Sequence, residues 1–184
     1  ADQFCFFNHE IRELHNSTLG IIGEGAIGQG VASIARGFNM NILFAAHKGV
    51  DGLGPMYTPW EEVLETSDII TLHSPLLPQT QNMISLPEFK KMKKKPILIN
   101  TARGGLVKEE DLVEALQKGY ISGAAFDVFS SEPATESVLF NVPNLILTPH
   151  IAASTVEAQI VVAEQIAKQI SEYFNNGKVI NAVN

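Results

Sequence analysis

Thr18-Leu19-Gly20-Ile21-Ile22-Gly23-Glu24-Gly25-Ala26-Ile27-Gly28 is an apolar run closed by three glycines spaced G-x-G-x-x-G. The run before Gly23 has the length and near-continuous apolarity of a strand covered on both faces. The stretch from Ile27 to about Phe38 has the character of a helix. Strand, turn and helix in that order give the glycines separate tasks. Gly23 permits the tight turn, Gly25 allows backbone to approach a ligand closely, and Gly28 lets helix and strand pack together. The amides of Ala26, Ile27 and Gly28 open the helix, where free N–H groups and the helix dipole favour an anion. The pattern therefore reads as a cradle for the pyrophosphate of a dinucleotide.

Outward from this turn, short apolar runs alternate with amphipathic stretches. Strands are predicted at Thr18–Gly23, Asn41–Ala45, Asp68–His73, Ile97–Thr101, Ser122–Asp127 and Leu145–Thr148. Alternation of this kind builds βαβ units around a parallel sheet, so the predicted class is α/β, a doubly wound parallel sheet. Thr58-Pro59-Trp60-Glu61 and Ser85-Leu86-Pro87-Glu88 both read as capping boxes. Glu109 to Lys118 has acids in its first turn, a lysine in its last and Gly119 beyond it. Ser154-Thr155-Val156-Glu157 opens the longest predicted helix, which Asn176-Gly177 closes; its apolar positions recur every three or four residues.

The composition excludes several functions. With 184 residues, 45% hydrophobic and 18% charged, the chain suits one globular domain with an appendage. A formal charge of −7 argues against nucleic acid as a partner. The run Lys90, Lys91, Lys93, Lys94 and Lys95 reads as a solvated helix end. No run is long and apolar enough to span a bilayer, and no secretory signal opens the chain, so no membrane partner and a cytoplasmic location are expected. Cys5 is the single cysteine and reads as a packed or idle thiol; no metal site is predicted.

One expected feature is missing. An acid commonly ends the second strand of a dinucleotide fold and hydrogen-bonds the adenosine ribose. Here that strand ends Phe44-Ala45-Ala46-His47-Lys48, and the first acid is Asp51. His47 and Lys48 offer positive charge to a 2′-phosphate. Both NAD and NADP stay open as cofactors.

Five segments together carry a family resemblance: LGIIGEGAIGQG (19–30), LHSPLLPQTQNMI (72–84), ILINTARGGLV (97–107), GAAFDVFSSEP (123–133) and NLILTPHIAAST (144–155). In order and spacing the chain resembles the D-isomer-specific 2-hydroxyacid dehydrogenases, over almost all of residues 4–184. FCFFNHEIREL (4–14) and HKG (47–49) look most like the glycerate dehydrogenases, or hydroxypyruvate reductases, of that family. The resemblance implies a Rossmann sheet that binds NAD or NADP and moves hydride to or from a small 2-keto or D-2-hydroxy acid. Hydroxypyruvate with D-glycerate, and glyoxylate with glycolate, are the implied pairs.

The resemblance assigns Arg103 to the substrate carboxylate and carbonyl. Physical chemistry agrees, because a guanidinium fork suits a carboxylate and parallel sheets present ligands at their carboxyl edge. His150 matches the acid–base residue and Glu132 the carboxylate that pairs with it. Reduction of a keto acid needs a proton as well as a hydride, and an imidazole held by a carboxylate can supply one. Asp127 matches a contact to the nicotinamide carboxamide. His73, Ser74, Pro75, Thr101 and Ala102 match positions where the chain skirts the cofactor, His73 through packing and backbone placement.

The resemblance also sets the predicted organisation. Residues 1–16 are a leading segment and 17–152 the NAD(P)-binding domain. Residues 153–184 form a helix and tail that would complete a substrate domain missing from this chain. A fragment of that kind is expected to bind cofactor while turning over substrate poorly. A homodimer is expected, with Phe4, Phe6 and Phe7 packing against a second subunit or the missing domain. The alternative is a nucleotide-sensing module without turnover, as in the family's corepressor relatives.

Overall fold

A computed structural model describes residues 11–50 and 54–182. The predicted roles of Phe4, Cys5, Phe6, Phe7 and Asp51 lie outside the described residues. Two compact units divide the chain, the first ending at Pro149 and the second running from His150.

The first unit holds six strands: β1 (Thr18–Ile22), β2 (Asn41–Phe44), β3 (Ile69–Leu72), β4 (Ile97–Asn100), β5 (Gly123–Phe126) and β6 (Leu145–Leu147). They form one sheet in the order β2-β1-β3-β4-β5-β6, and every neighbouring pair is parallel. The chain leaves β1 towards β2 on one side and resumes with β3 on the other. The order therefore reverses between β1 and β3, the point where such sheets receive ligands.

Both faces of the sheet are covered. Leu19 and Ile21 of β1 pack with Ala32 and Ala35 of α1 (Ala26–Gly37) and with Met40 and Phe44. Ile22, on the alternate face, joins a larger core with Trp60, Val63, Leu64, Phe89 and Leu112. That core is built from α2 (Trp60–Thr66), α3 (Leu86–Lys91) and α4 (Glu109–Lys118). Gly20 lies so close under α2 that a Cβ there would stand 2.7 Å from Val63 Cγ1. This is the Rossmann arrangement that the strand–helix alternation implied.

Most helix ends follow their local chemistry. At α3 the Ser85 amide donates to Glu88 Oε2 at 3.0 Å, and the capping box is complete. Gly119 closes α4 in the left-handed conformation, φ 68°. Thr58 departs from the expected capping box. Its N–H donates to Phe44 O at 2.7 Å and its carbonyl accepts from Ala46 N at 2.8 Å. The Thr58 backbone is thus spent extending β2, and Pro59 becomes the N-cap of α2, with no side-chain cap. Three lysines of the run are paired: Lys91 with Glu61, Lys93 with Glu65 and Lys94 with Asp68, at 2.8 to 3.0 Å.

The second unit is dominated by α5 (Val156–Asn176), capped by Thr155, whose hydroxyl accepts from Ala158 N at 3.1 Å. Gly177 ends it at φ 64°, and Lys178 to Ile180 turn back beside Ile170 and Phe174. Every residue of α5 is at least partly exposed. Among the described residues no helix is long and apolar enough to cross a membrane.

Candidate active site

The site is built at the carboxyl edge of the sheet. Gly23 has φ 108°, a conformation that a side chain would strain, and a Cβ there would stand 2.6 Å from the carbonyl of His73. The turn after β1 is therefore pressed against the turn after β3. His73 N donates to Ile22 O at 2.7 Å and Ser74 Oγ donates to the same carbonyl at 3.2 Å. At Gly28 a Cβ would run into the carbonyl oxygen of Gly23, so bare backbone is needed for α1 to start here. Gly25 is different. A Cβ at Gly25 meets nothing within 4 Å among the described residues. The absence of a side chain there serves no packing need of the first unit.

A cleft of about 300 Å³ opens beside this turn, walled by Gly23, Ala46, His47, Lys48, Pro75 and Trp60 among others. Its size and mixed lining suit a small organic ligand. The indole N–H of Trp60 is buried in that wall with no hydrogen-bond partner among the described residues. Ala26 and Ile27, both exposed residues, open α1 directly after Gly25. Bare backbone, a helix start and an open cleft together fit an extended dinucleotide.

His47 is exposed at this cleft. Lys48, expected to offer charge to a 2′-phosphate, is committed elsewhere. Its ammonium lies 2.7 Å from Glu88 Oε1 and donates to Met83 O at 3.0 Å. The buried acid forty residues on is what a local reading of Lys48 could not include. His73 is half-buried, and burial lowers its pKa, which favours the neutral ring; its Nε2 lies 3.0 Å from Thr71 Oγ1.

Two further loops reach the same edge. Thr101, Ala102 and Arg103 follow β4, and Arg103 is exposed, with Nη1 donating to its neighbour Ala102 O at 2.7 Å. Asn100, wholly buried, braces this loop from below: Nδ2 donates to Arg103 O at 2.9 Å and Oδ1 accepts from Ala102 N at 3.1 Å. The sequence signal for Asn100 was a single polar residue ending an apolar strand. Gly104 is so close to the next loop that a Cβ would run into the backbone of Phe129. That loop carries Glu132, whose Oε1 accepts from Phe129 N at 2.9 Å. Glu109 ties it to α4, accepting from Ser130 N at 2.7 Å. The loops of Arg103 and Glu132 are thereby packed on each other within the first unit. Asp127, buried just past β5, accepts a short hydrogen bond from the Thr148 hydroxyl.

His150 is the first residue of the second unit. It is exposed and has φ 54°, the left-handed region that non-glycine residues seldom occupy. Among the described residues no three His, Cys, Asp or Glu side chains are grouped to hold a metal.

The parallel sheet, its glycine turn at the reversal point and the cleft beside it define a Rossmann dinucleotide-binding domain. The chain belongs to the D-isomer specific 2-hydroxyacid dehydrogenases, matching their NAD binding domain over residues 6–152. It is 45% identical over 186 residues to a glycerate dehydrogenase of Methylorubrum extorquens, covering all of this chain and 58% of that protein. A glyoxylate reductase structure from Paecilomyes thermophila superimposes with a TM-score of 0.84 at 34% identity, covering 94% of this chain and 53% of that one. An acyclic imino acid reductase solved with NADPH and D-Arg reaches a TM-score of 0.87 at 28% identity, covering 99% and 58%. The chain thus spans about half the length of the proteins it matches.

Proposed function

We propose that this chain supplies the cofactor side of a dehydrogenase acting on a small 2-keto or D-2-hydroxy acid, with hydroxypyruvate and D-glycerate the preferred pair and glyoxylate and glycolate the next. The observation that carries this reading is Arg103, held exposed at the carboxyl edge by buried Asn100, on the same sheet edge as the glycine turn. A nicotinamide dinucleotide bound at that turn would supply or accept the hydride.

The chain's own residues then divide the remaining work. Arg103 binds the substrate carboxylate through its planar fork and draws charge from the neighbouring carbonyl. His150 gives the proton to the carbonyl oxygen during reduction and takes it back during oxidation. The family resemblance assigns Glu132 as the carboxylate partner of His150, a role that would fix the tautomer of the imidazole. The left-handed backbone at His150 supports a functional assignment, because such conformations persist where a site demands them. Asp127 would contact the nicotinamide carboxamide of a bound cofactor, and Thr148 donates a hydrogen bond that holds its carboxylate in place.

The test is loss of NADH absorbance on adding hydroxypyruvate or glyoxylate, in the wild-type protein and in Arg103→Gln. Arg103→Gln is expected to lower kcat/KM by about 100-fold or more, mostly through KM, because a bidentate charged contact is lost. Unchanged kcat/KM in that variant would remove Arg103 from the reaction.

A further inference from the structure

From Phe44 at the end of β2 the chain runs on into buried, apolar Ala45 and Ala46, without an acid for the adenosine ribose. A carboxylate nevertheless stands at this end of the strand, and the glycine turn provides it. Ile21 of β1 pairs with Phe44 of β2, and Ala45 N donates to Ile21 O at 2.9 Å. Gly23 and Glu24 therefore leave the sheet alongside the end of β2. The segment ahead of α2 returns to the same place, because Thr58 hydrogen-bonds both Phe44 and Ala46. Tyr57, next to Thr58, donates its hydroxyl to Glu24 Oε1 at 2.9 Å. Among the described residues Glu24 Oε2 has no donor, and no cation pairs with this carboxylate.

We propose that Glu24, held by Tyr57, replaces the missing acid of β2 and selects the unphosphorylated adenosine ribose. The inference rests on reading the cleft as the dinucleotide site. Oε2 accepts from the ribose hydroxyls, and the charge opposes a phosphate at the 2′ position. Tyr57 is suited to the holding role. The hydrogen bond to Glu24, helped by burial and by the charge of Glu24, raises its pKa, so it stays a donor through the neutral range. Of the two residues that could meet a 2′-phosphate, Lys48 is paired with Glu88, while His47 stays exposed at the cleft. A carboxylate just ahead of α1 also favours the helix dipole. That role alone would change stability on removal of Glu24 and leave cofactor choice as it was.

Dissociation constants for NADH and NADPH separate these roles in the wild-type chain, Glu24→Gln and Tyr57→Phe. Energy transfer from Trp60, the single tryptophan and part of the cleft wall, reports binding without turnover. The wild type is expected to bind NADH at least tenfold more tightly than NADPH. Glu24→Gln is expected to narrow that ratio at least fivefold, chiefly by tightening NADPH. Tyr57→Phe, which keeps the ring, narrows it less and stands in should Glu24→Gln fold poorly. Tight NADH binding with a ratio unchanged in the variants would overturn the role of Glu24 and leave the cleft assignment standing, as would a wild-type preference for NADPH. Failure of the wild type to bind either dinucleotide would overturn the cleft assignment and this inference with it.

Discussion

Lys48 Nζ lies 2.7 Å from Oε1 of Glu88, a carboxylate whose side chain is only 4% exposed. Burial by itself would raise the pKa of Glu88. Hydrogen bonds from Lys48 and Ser85, with the charge of Lys48, outweigh burial and hold it below its ordinary value. A depressed carboxylate stabilises the fold above its unfolded pKa, and that contribution is lost as pH falls through the folded pKa. Lys48→Met removes the main counter-charge, so the acid-unfolding midpoint is expected to move to higher pH. At neutral pH the expected loss is about 1–2 kcal/mol, kept modest because Lys48 is itself partly exposed. Thermal melts from pH 3 to pH 7 check both effects, and an unshifted acid midpoint would contradict the pairing. NADPH affinity is expected to be unchanged in the same variant.

Asn100 provides a second test, at the loop that presents Arg103. Asn100→Ala removes a donor to Arg103 O and an acceptor for Ala102 N, both in a buried setting. A loss of about 1–3 kcal/mol is expected from the backbone groups left without partners. Because the loop then presents Arg103 less firmly, KM for the keto acid is expected to rise about tenfold while NADH affinity holds within about twofold. Steady-state kinetics beside a cofactor titration measure the two; equal losses in both would speak for general unfolding.

Gly104 and Gly105 are adjacent yet differ in what surrounds them. A Cβ at Gly104 meets the backbone of Phe129 and Ser130, which cannot move aside without displacing the loop of Glu132. At Gly105 the nearest atom is Leu76 Cδ2 at 3.1 Å, the end of a flexible side chain. Gly104→Ala is expected to cost about 3 kcal/mol or more, and Gly105→Ala less than about 1 kcal/mol. Chemical denaturation of the pair checks the ordering, and equal midpoints would contradict it.

Much of this architecture was legible in the sequence, for physical reasons. The six strands fall within a residue of their expected ends, because each is a continuous apolar run bounded by polar or glycine punctuation. The Ser85 capping box was legible because it is local, formed between residues three apart. Thr58 has the same local signature and a different outcome, decided by a backbone pairing with Phe44 and Ala46 that no short window contains. The ion pair of Lys48 was hidden for the same reason: its partner Glu88 arrives only once α3 is packed. Glu24 occupied a spacer position in the glycine pattern, and its meaning emerged with Tyr57, 33 residues away in sequence. Side-chain roles that depend on one long-range contact were the part that pattern and composition did not carry.

Gly25 bears most directly on the account, since the fold itself makes no demand on the space beside it. The deciding measurement is NADH affinity, read by energy transfer from Trp60, in wild type and Gly25→Ala with melting curves alongside. The expected result is saturable binding in the wild type, weakened at least tenfold in Gly25→Ala, with stability within about 0.5 kcal/mol. Equal affinity in the two proteins, or no saturable binding in either, would contradict a dinucleotide seated on this turn.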